Sequence, residues 1–187
     1  MVSRWTLFPS LSTIATPIKT WISYLKLSSK VSIRLLVESD AHTSVKWRND
    51  PSIWLLTGSA PTRLITLDDE LAWIRTVIAD QSGRRFAIEV DHQYVGNTYL
   101  TNIHDARAEF HIFIGDKSVL GRGVAKEATR LVLNFARTDL ALEMIELSVN
   151  PSHVVAVGLY RSLGFVPTST VDGVLAMAVD VRKLPDQ

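Results

Sequence analysis

Leu120-Gly121-Arg122-Gly123-Val124-Ala125-Lys126-Glu127-Ala128 sets two glycines directly ahead of a strongly periodic segment. Val124, Ala128, Leu131, Val132 and Phe135 recur at helical spacing, so the glycines fall at the mouth of a helix N-terminus. First-turn amides there lack an intrahelical acceptor and carry the positive end of the helix dipole, which makes the spot an anion site. The loop is not a Walker motif, because no Gly-Lys-Ser/Thr closes it, and it lacks the third glycine of a dinucleotide fingerprint. Taken alone, it is equally a phosphate cradle or a strand-to-helix turn that needs glycine for close packing.

The C-terminal side supplies context. Met144-Ile145-Glu146-Leu147-Ser148-Val149 alternates apolar and polar residues, as a half-buried strand does. Asn150-Pro151-Ser152 then opens a helix that runs to Leu159-Tyr160-Arg161-Ser162-Leu163, with Gly164 as its C-terminal stop and Phe165 beyond. The glycine loop, a helix, a strand, and Ala156, Leu159-Tyr160 and Gly164-Phe165 in this order resemble the GNAT superfamily of N-acetyltransferases, which move acetyl from acetyl-CoA to an amine. The resemblance covers residues 31–181. It implies an α/β (α+β) fold with a mixed, mostly antiparallel central sheet and helices on both faces.

It also implies a set of site residues. The donor would be held by Gly121, Arg122, Gly123, Val124, Ala125 and Lys126 at the pyrophosphate, and by the backbone of Ile112 and Ile114 along the pantetheine arm, with His153 at the start of the second motif. Tyr160 matches the family tyrosine that protonates the departing sulfur, and Glu109 matches a glutamate that serves as base directly or through water. Two positions depart from the family pattern. Leu120 stands where Gln or Arg is usual, and His153 where Asn is usual.

Composition bounds the alternatives. The 187 residues, 47% hydrophobic and 21% charged, suit one globular domain with a substantial core. There is no cysteine, hence no disulfide, thiol nucleophile or Cys-based zinc site, and the five histidines lack metal-binding i, i+4 pairing. The expectation is no metal, and a net charge of +1 gives no reason to invoke nucleic acid. Residues 1–30 hold Arg4, Lys19, Lys26 and Lys30 without an acid, leaving 16 basic against 19 acidic residues, −3, in the rest. Ile18, Trp21, Ile22 and Leu25 form a short amphipathic stripe there, interrupted by Pro9 and Pro17 and too short to span a bilayer. This basic extension reads as a helix packed on the domain, a surface helix touching membrane, or an over-extended start preceding a single domain at 31–187. The expectation is a cytoplasmic protein without stable membrane insertion.

In the first half, residues 33–37 read as a strand. Ser39-Asp40 can cap a helix from Ala41 to about Trp47, stopped by Asp50-Pro51. Thr66 and Asp69 form a capping-box start for a second helix with Leu67, Leu71, Ile74 and Ile78 on its inner side. Residues 85–90 and 94–100 flank Asp91-His92-Gln93 as a hairpin, and residues 108–114 follow as a further strand. Asp172-Gly173 makes a tight turn between strands near Val166 and from 174 to 181.

Trp47-Arg48-Asn49-Asp50-Pro51 and Glu70-Leu71-Ala72-Trp73-Ile74 resemble a GNAT subset of pseudaminic-acid-type amino-sugar acetyltransferases and Rim-type N-terminal acetyltransferases of ribosomal proteins. Trp47, Arg48 and Asn49 are therefore expected at the acceptor. Trp47 and Trp54 would form an aromatic floor and Arg48 would reach a phosphate, the alternative for Trp47 being a core residue at a helix end. The expected acceptor is a small amine, above all a nucleotide-linked amino sugar. A protein N-terminus and an aminoglycoside follow, and no run of acidic groove residues singles out polyamines. On the strand, Ala108, Phe110, Ile112 and Ile114 share one face and Glu109, His111 and Phe113 the other. This leaves Glu109 and His111 as rival bases and Tyr160 as the acid, with transfer in one step and no covalent intermediate. A catalytically silent CoA-binding module is the reading from outside enzymology, and a homodimer is compatible with the superfamily.

Overall fold

The computed structural model describes residues 30–57 and 60–185, so the expectations for the N-terminal extension lie outside the described residues. Seven strands form one sheet in the order β1-β2-β3-β4-β5-β7-β6. They are β1 (Val31–Leu35), β2 (Arg84–Val90), β3 (Gln93–His104), β4 (Arg107–Ile114), β5 (Met144–Val149), β6 (Val166–Val171) and β7 (Val174–Asp180). Every neighbouring pair is antiparallel except β4–β5, which is parallel and connected through helix α4 (Val124–Thr138). A parallel pair needs such a crossover, whereas β2–β3, β3–β4 and β6–β7 close through two-residue turns.

Those turns follow a common rule. Asp91-His92, Asp105-Ala106 and Asp172-Gly173 all sit at positive φ at both positions, the backbone of primed turns that match strand twist. The hairpin expected around residues 91–93 forms with Gln93 already inside β3.

Each face of the sheet buries a different cluster. Phe86, Leu100, Phe110, Ile145 and Leu147 meet Val132, Leu133 and Ala136 of α4 and Val157 of α5 (Val154–Ser162) on one face. On the other, Ala87 and Leu36 meet Ala41 of α1 (Ala41–Arg48) and Ile74 of α3 (Leu67–Ala79). Burying a Leu, Ile or Phe contributes about 1.5–3 kcal/mol each, so these two clusters hold the helices to the sheet.

Several boundaries differ from expectation. β1 begins at Val31 and ends at Leu35, because Arg34 is drawn to Asp40 and Glu89, each at 2.7 Å, and the chain turns there into a 3-10 turn. Asp50-Pro51 does stop α1, but Pro51 also starts a second helix, α2 (Pro51–Thr57), at the one helical position where a missing N–H costs nothing. The inner side of α3 is rotated: Glu70 and Ile74 are buried, whereas Ile78 is 40% exposed. A carboxylate occupies a core position there because Ser44 donates to it at 2.6 Å and Arg48 lies beside it. α5 starts at Val154, beyond Asn150-Pro151-Ser152, which forms an Asn-capped turn ahead of it.

The capping box of α3 is as the sequence implies. Thr66 Oγ1 accepts from the Asp69 amide at 3.2 Å and Asp69 Oδ2 accepts from the Thr66 amide at 2.8 Å. Thr66→Ala is expected to lower global stability by about 1 kcal/mol. Urea unfolding checks this, and an unchanged midpoint would remove the cap from the account. No helix among the described residues is long and apolar enough to cross a membrane.

Candidate active site

The sheet opens where its one parallel pair fails. β4 and β5 are in register only over Arg107↔Met144, Ala108↔Ile145 and Glu109↔Glu146, so residues 110–114 run on without a partner on that edge. Unpaired strand groups beside a helix N-terminus form a slot for an extended amide-containing arm. Ile112 and Ile114 turn their side chains into the α4-side clusters, and what they present to the slot is backbone.

At the end of the slot lies the glycine loop. Gly121 and Gly123 have φ of 72° and 79°, and a Cβ at either would meet nothing within 4 Å, so it is the left-handed backbone that calls for glycine. Gly123 is the N-cap of α4 and offers no side chain, which leaves the amides of Val124, Ala125 and Lys126 facing out of a 15-residue helix. Arg122 and Lys126 are exposed beside them. These donors fit the diphosphate of CoA, and the unpaired β4 edge fits its pantetheine amides. Leu120 is 48% exposed and adds no polar group.

Acid–base groups flank the gap on opposite faces. On the α5 side, Tyr160 packs edge-on against Phe110 and Phe165, with ring centroids 6.4 and 5.6 Å away. Gly164, at φ 93°, completes a Schellman motif in which the Phe165 amide donates to Tyr160 O at 3.1 Å and the Gly164 amide to Arg161 O at 3.1 Å. The glycine named from sequence as a helix stop therefore fixes the turn that carries the tyrosine. Burial raises the Tyr160 pKa above its ordinary value, so the phenol stays protonated at neutral pH.

On the other side, Glu109 Oε1 lies 3.5 Å from His111 Nε2. Thr101 Oγ1 is 3.0 Å from the same nitrogen, and Asn102 Nδ2 donates to Glu109 Oε2 at 3.2 Å. Asn102 sits at φ 52° where the β3–β4 register shifts, which turns its amide toward β4. Burial lowers the His111 pKa below 6.5 against the opposing effect of Glu109, so the imidazole is neutral at pH 7. Sequence periodicity brought out Glu109 and His111 but not Thr101 and Asn102, whose reach depends on the bulge.

Next to this pair is a cavity of about 240 Å³ walled by aromatic rings. Trp47, Trp54, Trp73, Tyr99 and Phe113 line it together with Arg48. Trp47 is both a packed residue and a cavity wall. It is 9% exposed and packs on Tyr94 and Phe113 at 4.7 and 6.0 Å, yet its edge forms cavity wall. Gly115, just past β4, is what admits it, since a Cβ there would collide with the Trp47 ring. Asn49 is occupied elsewhere: its amide donates to Val45 O and Ile65 O at 2.9 and 2.8 Å and accepts from Ile65 N at 2.9 Å. Contrary to its expected acceptor contact, it straps residue 65 to α1. Trp73 and Tyr99 come from α3 and β3, and packing alone joins them to Trp47. His153 caps α5 through its backbone, with no capping bond from its ring. Lys117 Nζ, in the turn before the glycine loop, meets Asp50 Oδ2 at 2.6 Å and ties the donor side to the start of α2.

A mostly antiparallel sheet opened at one parallel junction, with a glycine-capped helix at the opening, defines a class of CoA-using acyltransferase folds. The acetyltransferase (GNAT) domain model matches residues 30–166, and the chain belongs to that family. It is 38% identical over 90 residues to a spermidine N(1)-acetyltransferase of Escherichia coli, covering 47% of this chain and 48% of that protein. It is 30% identical over 127 residues to human N-acetyltransferase 8B, covering 63% and 55%. Thus the chain spans about half the length of these two curated relatives. The crystal structure of spermidine N-acetyltransferase from Vibrio cholerae with CoA and spermine superposes with a TM-score of 0.73 at 25% identity, over 82% of this chain and 96% of that one.

Proposed function

We propose that the chain is an acetyl-CoA-dependent N-acetyltransferase that passes acetyl directly to a primary amine of a small molecule. The observation that carries the reading is the gap beyond Glu109, with the glycine-loop amides at one end and Tyr160 and the Glu109–His111 pair on its two faces. The bound thioester supplies an activated acyl carbon. Glu109 takes the proton of the attacking amine, directly or through a water, with Asn102 and His111 fixing its carboxylate. Tyr160 gives its phenolic proton to the leaving sulfur, so one C–N bond forms as the C–S bond breaks. His153 lies at the N-terminus of α5 on the donor side of this arrangement.

The aromatic cavity supports an acceptor with a flat or ring-shaped body, and a nucleotide-linked amino sugar is the first class to try. Polyamines form the second class, because two of the relatives carry spermidine in their names. Coenzyme-A thiol release by the purified protein, run with UDP-amino sugars, spermidine, N-terminal peptides and aminoglycosides, tests the reading. Release with one small-amine class supports it. Binding of acetyl-CoA with release from none would make the chain a silent CoA-binding module.

The need for a base depends on the acceptor. Neutralising an amine of pKa about 10.4 at pH 7 costs about 4.6 kcal/mol, against about 1 kcal/mol for one near 7.7. Glu109→Gln is therefore expected to lower kcat about a hundredfold at pH 7 and progressively less as the pH nears the acceptor's own pKa. A pH–rate profile of both proteins checks this, and parallel profiles would take the base role from Glu109.

A further inference from the structure

We propose that Arg48 is an oxyanion-reading fork in the acceptor cavity, so that the amine this chain acetylates carries a phosphate or carboxylate and is not a polycation. The inference rests on the reading of the aromatic cavity as the acceptor site. Arg48 is the one charged side chain that lines the cavity among the described residues. It is held from two directions. Its guanidinium carbon lies 5.2 Å from the centre of the Trp73 ring, and its Nε lies 3.9 Å from Glu70 Oε2.

Glu70 is the unusual member. It is 1% exposed, its Oε1 accepts from Ser44 Oγ at 2.6 Å, and its Oε2 accepts no hydrogen bond. A buried carboxylate of this kind is tolerated only beside a cation. Arg48 is that cation, so its charge and its placement are built into the helix pair α1–α3. Glu70 is a positioning residue: it engages the Nε side of the guanidinium, and the two terminal amino groups keep their donors for the cavity. Stacked on an indole, a planar guanidinium presents paired N–H groups that match a phosphate or carboxylate, which a lysine in the same place would not.

The same arrangement opposes a polyamine. Its second and third ammonium groups would meet a fixed cation, and among the described residues no carboxylate lines the cavity to receive them. The remaining route for a polycation is to displace Arg48 and pair with Glu70, and the test includes that outcome.

Three probes share one amino-sugar ring and differ at C6, glucosamine, glucosamine 6-phosphate and glucosaminuronic acid, and spermidine supplies the polycation. Titrating each into the whole chain and following tryptophan fluorescence reads binding without turnover, since three tryptophans line the cavity. The expected order is the phosphate or carboxylate sugar tighter than glucosamine by about tenfold or more, and spermidine weakest. Arg48→Gln is expected to bring the affinity ratio of the anion-bearing sugars to glucosamine close to one, and Arg48→Lys to restore only part of it, with circular dichroism showing both variants folded. Spermidine binding tightest, a ratio indifferent to Arg48→Gln, or no binding by any probe overturns the fork. kcat/KM on the same probes separates the two readings. Arg48-dependent binding without acetyl transfer would retain the fork and remove the transferase, whereas transfer to glucosamine or spermidine unaffected by Arg48 would do the reverse.

Discussion

Tyr160→Phe is expected to lower kcat about a hundredfold or more while leaving the dissociation constant of acetyl-CoA within about twofold. The substitution removes one oxygen and keeps the ring, so the edge-on contacts with Phe110 and Phe165 and the Schellman turn at Gly164 persist. What disappears is a proton donor that burial keeps protonated and neutral at neutral pH. Without it the thiolate must leave as an anion or take its proton from water. Single-turnover transfer measured beside equilibrium CoA binding separates chemistry from affinity. Equal loss in both would mean that the hydroxyl holds the donor, and no loss in either would remove Tyr160 from the reaction.

Gly115→Ala carries the largest structural effect. The added methyl would lie well under 3.0 Å from Cδ2, Cε2 and Cε3 of Trp47, a separation that real Cβ atoms do not show. Neither side yields easily: the Gly115 amide donates to Val95 O at 2.8 Å, and Trp47 is wedged against Tyr94 and Phe113. The ring must leave its place, and with it a wall of the aromatic cavity. A stability loss of about 3 kcal/mol is expected, with the KM for the acceptor rising more than that for acetyl-CoA. Combining the change with Trp47→Leu should recover part of the lost stability, because the clash is pairwise. Thermal melts and two-substrate kinetics check both points, and an unperturbed melt for Gly115→Ala would show that the loop shifts instead.

Local signals carried much of this structure in the sequence. Asp91-His92 and Asp172-Gly173 encode their own turns, Thr66 and Asp69 their own cap, and the apolar spacing after Gly123 its helix, because each depends on neighbours along the chain. Alternation along β4 placed Glu109 and His111 on one face for the same reason. Features set by distant partners were hidden. Pro51 reads as a stop and serves as a start as well, a distinction that only the packing of α2 decides. Glu70 looks like a solvent residue on α3 and is buried because Ser44 and Arg48, on another helix, receive it. The cavity was half visible: Trp47, Arg48 and Trp54 stand close together in sequence, whereas Trp73, Tyr99 and Phe113 reach it from three other elements. Asn49 shares its neighbours' position but turns to backbone, which no spacing rule distinguishes.

The three-residue junction between β4 and β5 also governs how the molecule coheres. It is a seam between a four-stranded half and a three-stranded half, connected along the chain through α4. A donor threaded through the seam would act as a strut, with its amides taking the place of the strand that β4 lacks. The folded chain then gains ligand free energy that the unfolded chain cannot, and the opening that admits the reactant doubles as the point where reactant supply tunes the durability of the fold.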